Sequence, residues 1–259
     1  VCAATGWAAD WSTTELHLQY GTLDIPYSGG ADEDTLVMTW QHASGWKYGD
    51  NFFFVDWTVP DNDIADAYGE WYSNLSLEKI FGKDISVGPL TDIGIIGGLN
   101  MGADPNVLIY LPGIRLSWDL PGFAFANTDF TAYLVDNPGV DAGDLTSDPP
   151  DLGDPNAAPD TDDGFMIDFN FATKQMEIGP TKWNIEGHIE YISARDTEFG
   201  TEEEEWVLAQ PQVRCDISPL LALPENTLFA GIEYQYWMNK LGDDETDENV
   251  VQALLVWRL

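Results

Sequence analysis

Positive charge is what this chain has least of. Ten lysines and arginines stand against 45 aspartates and glutamates, a formal charge of −35 over 259 residues. Nucleic acid polymers bind through basic patches, so they are excluded as partners. Cysteine is nearly absent. Cys2 and Cys215 form no CxxC pair, which removes zinc clusters and thioredoxin-like chemistry. They leave one candidate disulfide, Cys2 with Cys215, permitted in an oxidising compartment. No run of 18 apolar residues occurs, so no helix is expected to span a membrane, although a closed barrel of strands can cross with a weaker signal. Catalytic signatures are missing too: there is no GxSxG elbow, P-loop, Rossmann fingerprint or HExxH sequence. His17, His42 and His188 are dispersed. His188 lies between Glu186 and Glu190 on one face, as expected of any polar wall, so neither an enzyme nor an obligatory cofactor is predicted.

Aromatic side chains, by contrast, are plentiful: 11 Trp, 10 Tyr and 12 Phe in a chain that is 44% hydrophobic. That composition opposes disorder despite the acidity. The acid excess fits halophilic adaptation, in which salt screens self-repulsion and hydrated carboxylates keep the surface soluble. A cation-attracting channel would use the same charge.

Apolar residues recur at every second position in runs of about eight to twelve. The segment 181–192 is clearest. Trp183, Ile185, Gly187, Ile189 and Tyr191 share one face, and Lys182, Asn184, Glu186, His188 and Glu190 the other. Such period-two alternation predicts a strand with one apolar and one polar wall. Comparable segments occur at 15–20, 34–42, 51–57, 68–77, 90–99, 107–120, 123–135, 165–172, 205–215, 227–237 and 249–259. The total is about twelve, and bacterial membrane barrels need an even number. Tryptophans cluster near strand ends, among them Trp11, Trp40, Trp57, Trp71, Trp206, Trp237 and Trp257, as interfacial girdles would require. The prediction is an all-β chain, a transmembrane antiparallel β-barrel of twelve strands over residues 11–259. A periplasmic tail is expected at 1–10, and a long acidic loop at 136–163. A soluble salt-adapted β-sandwich with Trp in its core shares the alternation and is the competing fold.

Four strings carry a resemblance: HASGWKYGDNFFFVD at 42–56, EWYSNLSLEKI at 70–80, VGPL at 87–90 and PGIRLSWDLPG at 112–122. In that order they resemble the nucleoside-specific outer-membrane channel family (Tsx-like porins), over about 11–259. The resemblance implies a narrow twelve-stranded barrel in a bacterial outer membrane that passes nucleosides passively. The chain departs from the family in ending on Leu259, where such barrels commonly end in Phe or Trp, and in its longer, more acidic loop at 136–163.

Strand parity proposes the lumen. Its members are Glu15, His17, Gln19, Asp56, Glu70, Asn74, Arg115, Asp168, Lys182, Glu186, His188 and Glu190, with Glu78, Asp119, Glu233 and Arg258 on the same parity. Arg115 and Lys182 are expected to face carboxylates across it. Phe52, Phe54 and Tyr72 are the candidates for stacking against a nucleobase, with carboxylates and amides left for the ribose. Net acidity favours small neutral or cationic solutes over anions. The loop at 136–163 holds nine aspartates without EF-hand spacing. Asp160, Asp162 and Asp163 are its densest candidate ligands for calcium, an oxygen-seeking ion. Outer-membrane lipid is the expected partner of the apolar face. The alternatives are a plugged structural or surface-interaction barrel and a channel for another small polar or lipidic solute.

Overall fold

The computed structural model describes residues 9–61, 65–103, 106–140 and 158–259. Twelve antiparallel strands close on themselves: β1 (Trp11–Asp24), β2 (Asp32–Trp46), β3 (Gly49–Pro60), β4 (Asp66–Ser76), β5 (Leu90–Gly102), β6 (Leu108–Trp118), β7 (Phe123–Val135), β8 (Gly164–Thr173), β9 (Thr181–Ile192), β10 (Trp206–Ala209 with Gln212–Asp216), β11 (Leu228–Met238) and β12 (Glu248–Arg258). Each pairs with its sequence neighbours, and β1 pairs with β12, placing Glu15 opposite Arg258. Among the described residues, each of these twelve strands finds partners on both sides, so the wall has no edge. The barrel is the predicted one rather than the sandwich.

The alternation is inverted relative to a soluble protein. On β1, Glu15, His17 and Gln19 are buried inside, whereas Leu16, Leu18 and Tyr20 are exposed outside. Trp40, Trp57, Trp71 and Trp257 also lie on the exposed side. Trp206 and Trp237 do not join a girdle: Trp206 is buried in an apolar cluster inside the barrel, and Trp237 packs against it. An inward tryptophan and an outward one read alike in sequence, since both are apolar and alternate with polar neighbours.

Both chain ends lie at one rim, here called the termini rim. The β2–β3 turn at 47–48 belongs to it, as does the short helix α1 (Leu77–Phe81). The Ser76 hydroxyl accepts the Lys79 amide at 3.1 Å to start that helix, and Gly82 ends it in a left-handed conformation. The opposite rim carries 25–31, the described parts of 136–163, 193–205 and 239–247. β10 is interrupted at Gln210 and Pro211, where proline has no amide to give. Facing this break, Gly187 has φ +151°, and a Cβ there would stand 2.3 Å from the Gln210 carbonyl oxygen. Glycine at 187 lets the two strands approach beside His188.

Candidate functional site: the barrel lumen

A cavity of about 410 Å³ runs from Trp11 and Phe125 at the termini rim to Asp56, Glu70 and Glu190 at mid-barrel. Eight carboxylates line it (Asp50, Asp56, Glu70, Asp129, Asp168, Glu186, Glu190 and Glu233) against two arginines, Arg115 and Arg214. The potential inside is therefore negative, and low-dielectric walls focus it.

Of the residues expected in the lumen, His17, Gln19, Asp56, Glu70, Arg115, Asp168, Glu186, His188 and Glu190 line this cavity. Glu15 and Asn74 point inward but are covered by neighbours. Glu15 is 2% exposed. It accepts from Arg258 Nε at 2.7 Å, His17 Nε2 at 2.9 Å and Arg214 at 3.1 Å. Arg214 also meets Glu186 at 2.6 Å and donates to Gln212. Asn74 donates to Asp50 at 2.9 Å. Lys182 differs from expectation. It shares the inward parity but sits at the start of β9, where its ammonium meets exposed Glu225 at 2.6 Å rather than a carboxylate across the lumen. Glu78 and Asp119 likewise fall in α1 and a turn, beyond the strands that parity describes.

Arg115 does face carboxylates. Its guanidinium grips Asp129 through two bonds of 2.7 and 2.6 Å and reaches Asp50 at 3.1 Å. Sequence reading missed Asp129 and Asp50. The signal available for Asp129 was its shared parity with Asn127 and Thr131, and the need of a buried arginine for a planar, bidentate partner. Phe52, Phe54 and Tyr72 all line the cavity. Phe52 and Phe54 have ring centroids 6.1 Å apart, and the Tyr72 hydroxyl donates to Glu70 at 2.9 Å.

Toward the far rim the lumen changes character. Ile109, Leu111, Tyr133, Met166, Ile192 and Trp206 pack together inside the wall, and none of them lines the cavity. Arg195 lies across this cluster, 4.6 Å from the Tyr133 ring centroid and 4.7 Å from that of Trp206, and pairs with Glu203 at 2.7 Å. Arg195–Asp196 and Glu202–Glu203 form a small ribbon over the mouth. Neighbouring loops hold it: Glu198 N–H donates to the Asp160 carbonyl at 2.9 Å, and Glu204 N–H to the Gly242 carbonyl at 3.1 Å. Asp243 ties the next loop. Desolvation opposes its ionisation, but the Thr246 hydroxyl and the amides of Tyr27 and Glu245 outweigh it and hold the carboxyl below its usual range.

Asp160, Asp162 and Asp163 are exposed, and the described acidic groups close enough to share a metal ion do not include them. Asp163 instead caps the Val135 amide at 3.1 Å. The rest of that loop, 141–157, lies outside the described residues. So does Cys2; Cys215 is buried and forms no disulfide among the described residues.

No protein-family model matches the chain, and no curated protein matches it in sequence. Among solved structures, the NanC porin shares 12% identity at TM-score 0.51, covering 95% of this chain and 100% of that one. The β domain of the Bordetella autotransporter BrkA shares 8% identity at TM-score 0.42, covering 96% and 99%. The first likeness supports the fold, a closed twelve-stranded antiparallel barrel.

Proposed function

We propose that this protein is a passive bacterial outer-membrane channel for small neutral or cationic polar solutes, with nucleosides as the leading cargo. The observation that carries this reading is the 410 Å³ cavity, in which eight carboxylates and aromatic side chains that include Phe52, Phe54 and Tyr72 share one water-accessible space. Carboxylates can accept from ribose hydroxyls while an aromatic face takes the base, and several weak contacts favour flux over retention. The resemblance of 42–56 and 70–80 to nucleoside channels supports the same cargo.

Electrostatics sets the first test. In liposomes at low salt, adenosine is expected to enter at least several-fold faster than adenosine monophosphate, and the ratio should shrink as salt screens the lumen. Equal uptake of the two at low salt would remove the charge argument.

Lipid contact sets the second. Ile189 points outward in the middle of β9 and is exposed. Lysine there would place an ammonium in hydrocarbon, so Ile189→Lys should cost roughly 2–4 kcal/mol in bilayer-embedded unfolding. An unchanged urea midpoint in phospholipid vesicles would argue that water, not lipid, wets this face.

The apolar cluster beneath Arg195 favours a second reading, a structural barrel whose lumen is closed at one end. Conductance in planar bilayers separates the two, because a sealed barrel carries no current at any voltage.

A further inference from the structure

We infer that the middle of the lumen holds a binding site for a divalent first-row transition-metal ion, formed by Asp168, His188 and Glu190. The strand register brings the three together: Glu190 stands opposite Asp168 across the β8–β9 pair, and His188 precedes Glu190 by two residues on the same inward face. Glu186, the other acidic neighbour in sequence, turns away to Arg214. One ligand atom from each of the three lies within 4.8 Å of the others. A four-coordinate ion with bonds of ~2.1 Å holds its ligands about 3.4 Å apart, so modest side-chain rotation closes the set.

The surrounding hydrogen bonds prepare these atoms for a cation. His188 Nε2 lies 2.9 Å from Gln210 Oε1. Gln210 gives its own amide N–H to Gln235 at 2.9 Å, which fixes its oxygen toward the imidazole. The ring therefore donates through Nε2 and turns Nδ1 toward Asp168 Oδ1 at 3.3 Å. A proton or a metal ion bridges such a nitrogen–carboxylate pair, and the two compete for the same place. The other oxygen of Asp168 is held by Asn170 at 2.7 Å, so it is Oδ1 that remains available. This arrangement of an outer partner on each ligand is the one that orients metal-binding imidazoles and carboxylates.

Glu190 supplies the independent observation. It is 7% exposed, lines the cavity, and accepts no hydrogen bond and closes no ion pair among the described residues. A carboxylate that faces the cavity with no protein partner keeps its oxygens available to a cation, which stabilises its charged form. One imidazole with two carboxylates suits zinc and its first-row neighbours better than calcium, which prefers an all-oxygen set. The cavity leaves the remaining coordination positions open to water or solute.

The site rests on the channel reading only for its role in passage; binding itself does not. The test uses the full chain folded in detergent, its fold checked by heat-dependent gel mobility, with zinc chloride titrated calorimetrically. One zinc ion per barrel is expected. His188→Gln should weaken binding by at least a hundredfold. Gln210→Ala, which keeps all three ligands but frees the imidazole, should weaken it by about 10–100-fold. Binding unaltered by both substitutions, or matched by calcium, would assign the ion to surface carboxylates and overturn the site, as would the absence of saturable binding. Conductance in potassium chloride with and without zinc separates the two ideas. Stoichiometric zinc binding in a barrel that never conducts keeps the site and removes the channel. Current in a barrel that binds no zinc does the reverse.

Discussion

Replacing Glu15 with glutamine is expected to lower the unfolding free energy by about 3 kcal/mol, the low end of what removing one partner of a buried ion pair costs. Its carboxylate is the shared acceptor of Arg258, Arg214 and His17, and it sits on the seam where β1 meets β12. Glutamine keeps the volume and one carbonyl oxygen but removes the charge that balances two guanidiniums. Arg214 retains Glu186 at 2.6 Å, so Arg258 is the group left exposed to the loss. The low end applies because the Arg258 side chain is 31% exposed and water screens it in part. A cycle with Arg258→Gln checks the cause. If charge imbalance is responsible, the double variant should recover about 1 kcal/mol or more relative to the sum of the singles. Simple additivity in urea unfolding would instead point to lost packing at the seam.

How far the sequence revealed this molecule depends on which coordinate is asked for. Parity along a strand was legible, because 15–20 and 181–192 alternate cleanly and the inner and outer faces of a closed wall carry opposite chemistry. The twelve strands and the inward placement of His17, Glu70 and Asp168 follow from parity alone. Depth was not legible. Lys182 has the right parity and the wrong height, so it meets Glu225 outside the cavity. Partnership across strands was not legible either, since it needs the register, and a one-residue slip changes every pair. That is why Asp129 escaped as the partner of Arg115, and why Asp168 rather than Glu186 joins His188. The inward apolar cluster was hidden for a third reason. Ile109, Leu111 and Trp206 look like outward-facing residues by type, and only the closed wall shows that they face one another.

If the barrel is the channel proposed above, that cluster makes Arg195 the residue whose loss should change passage most. Its guanidinium lies over Tyr133 and Trp206, its side chain is 3% exposed, and its remaining donors reach Glu203, Thr161 and the Ser193 carbonyl. A desolvated cation–π contact is worth about 2 kcal/mol, and here one cation serves two rings. If the ribbon exchanges between seated and lifted positions, Arg195→Ala removes that preference from the seated one and raises the lifted population roughly thirtyfold. Single-channel recordings should then show more frequent open events at an unchanged unit conductance, because the lining at mid-barrel is untouched. Arg195→Lys keeps the charge but loses the planar contact and should fall between the two. A rise in open events for alanine with lysine matching the unsubstituted protein would assign the seal to charge pairing with Glu203 rather than to the rings. No change in either variant would mean that Ile109, Leu111 and Met166 close the lumen without the arginine, and the barrel would then be a sealed structural element rather than a gated pore.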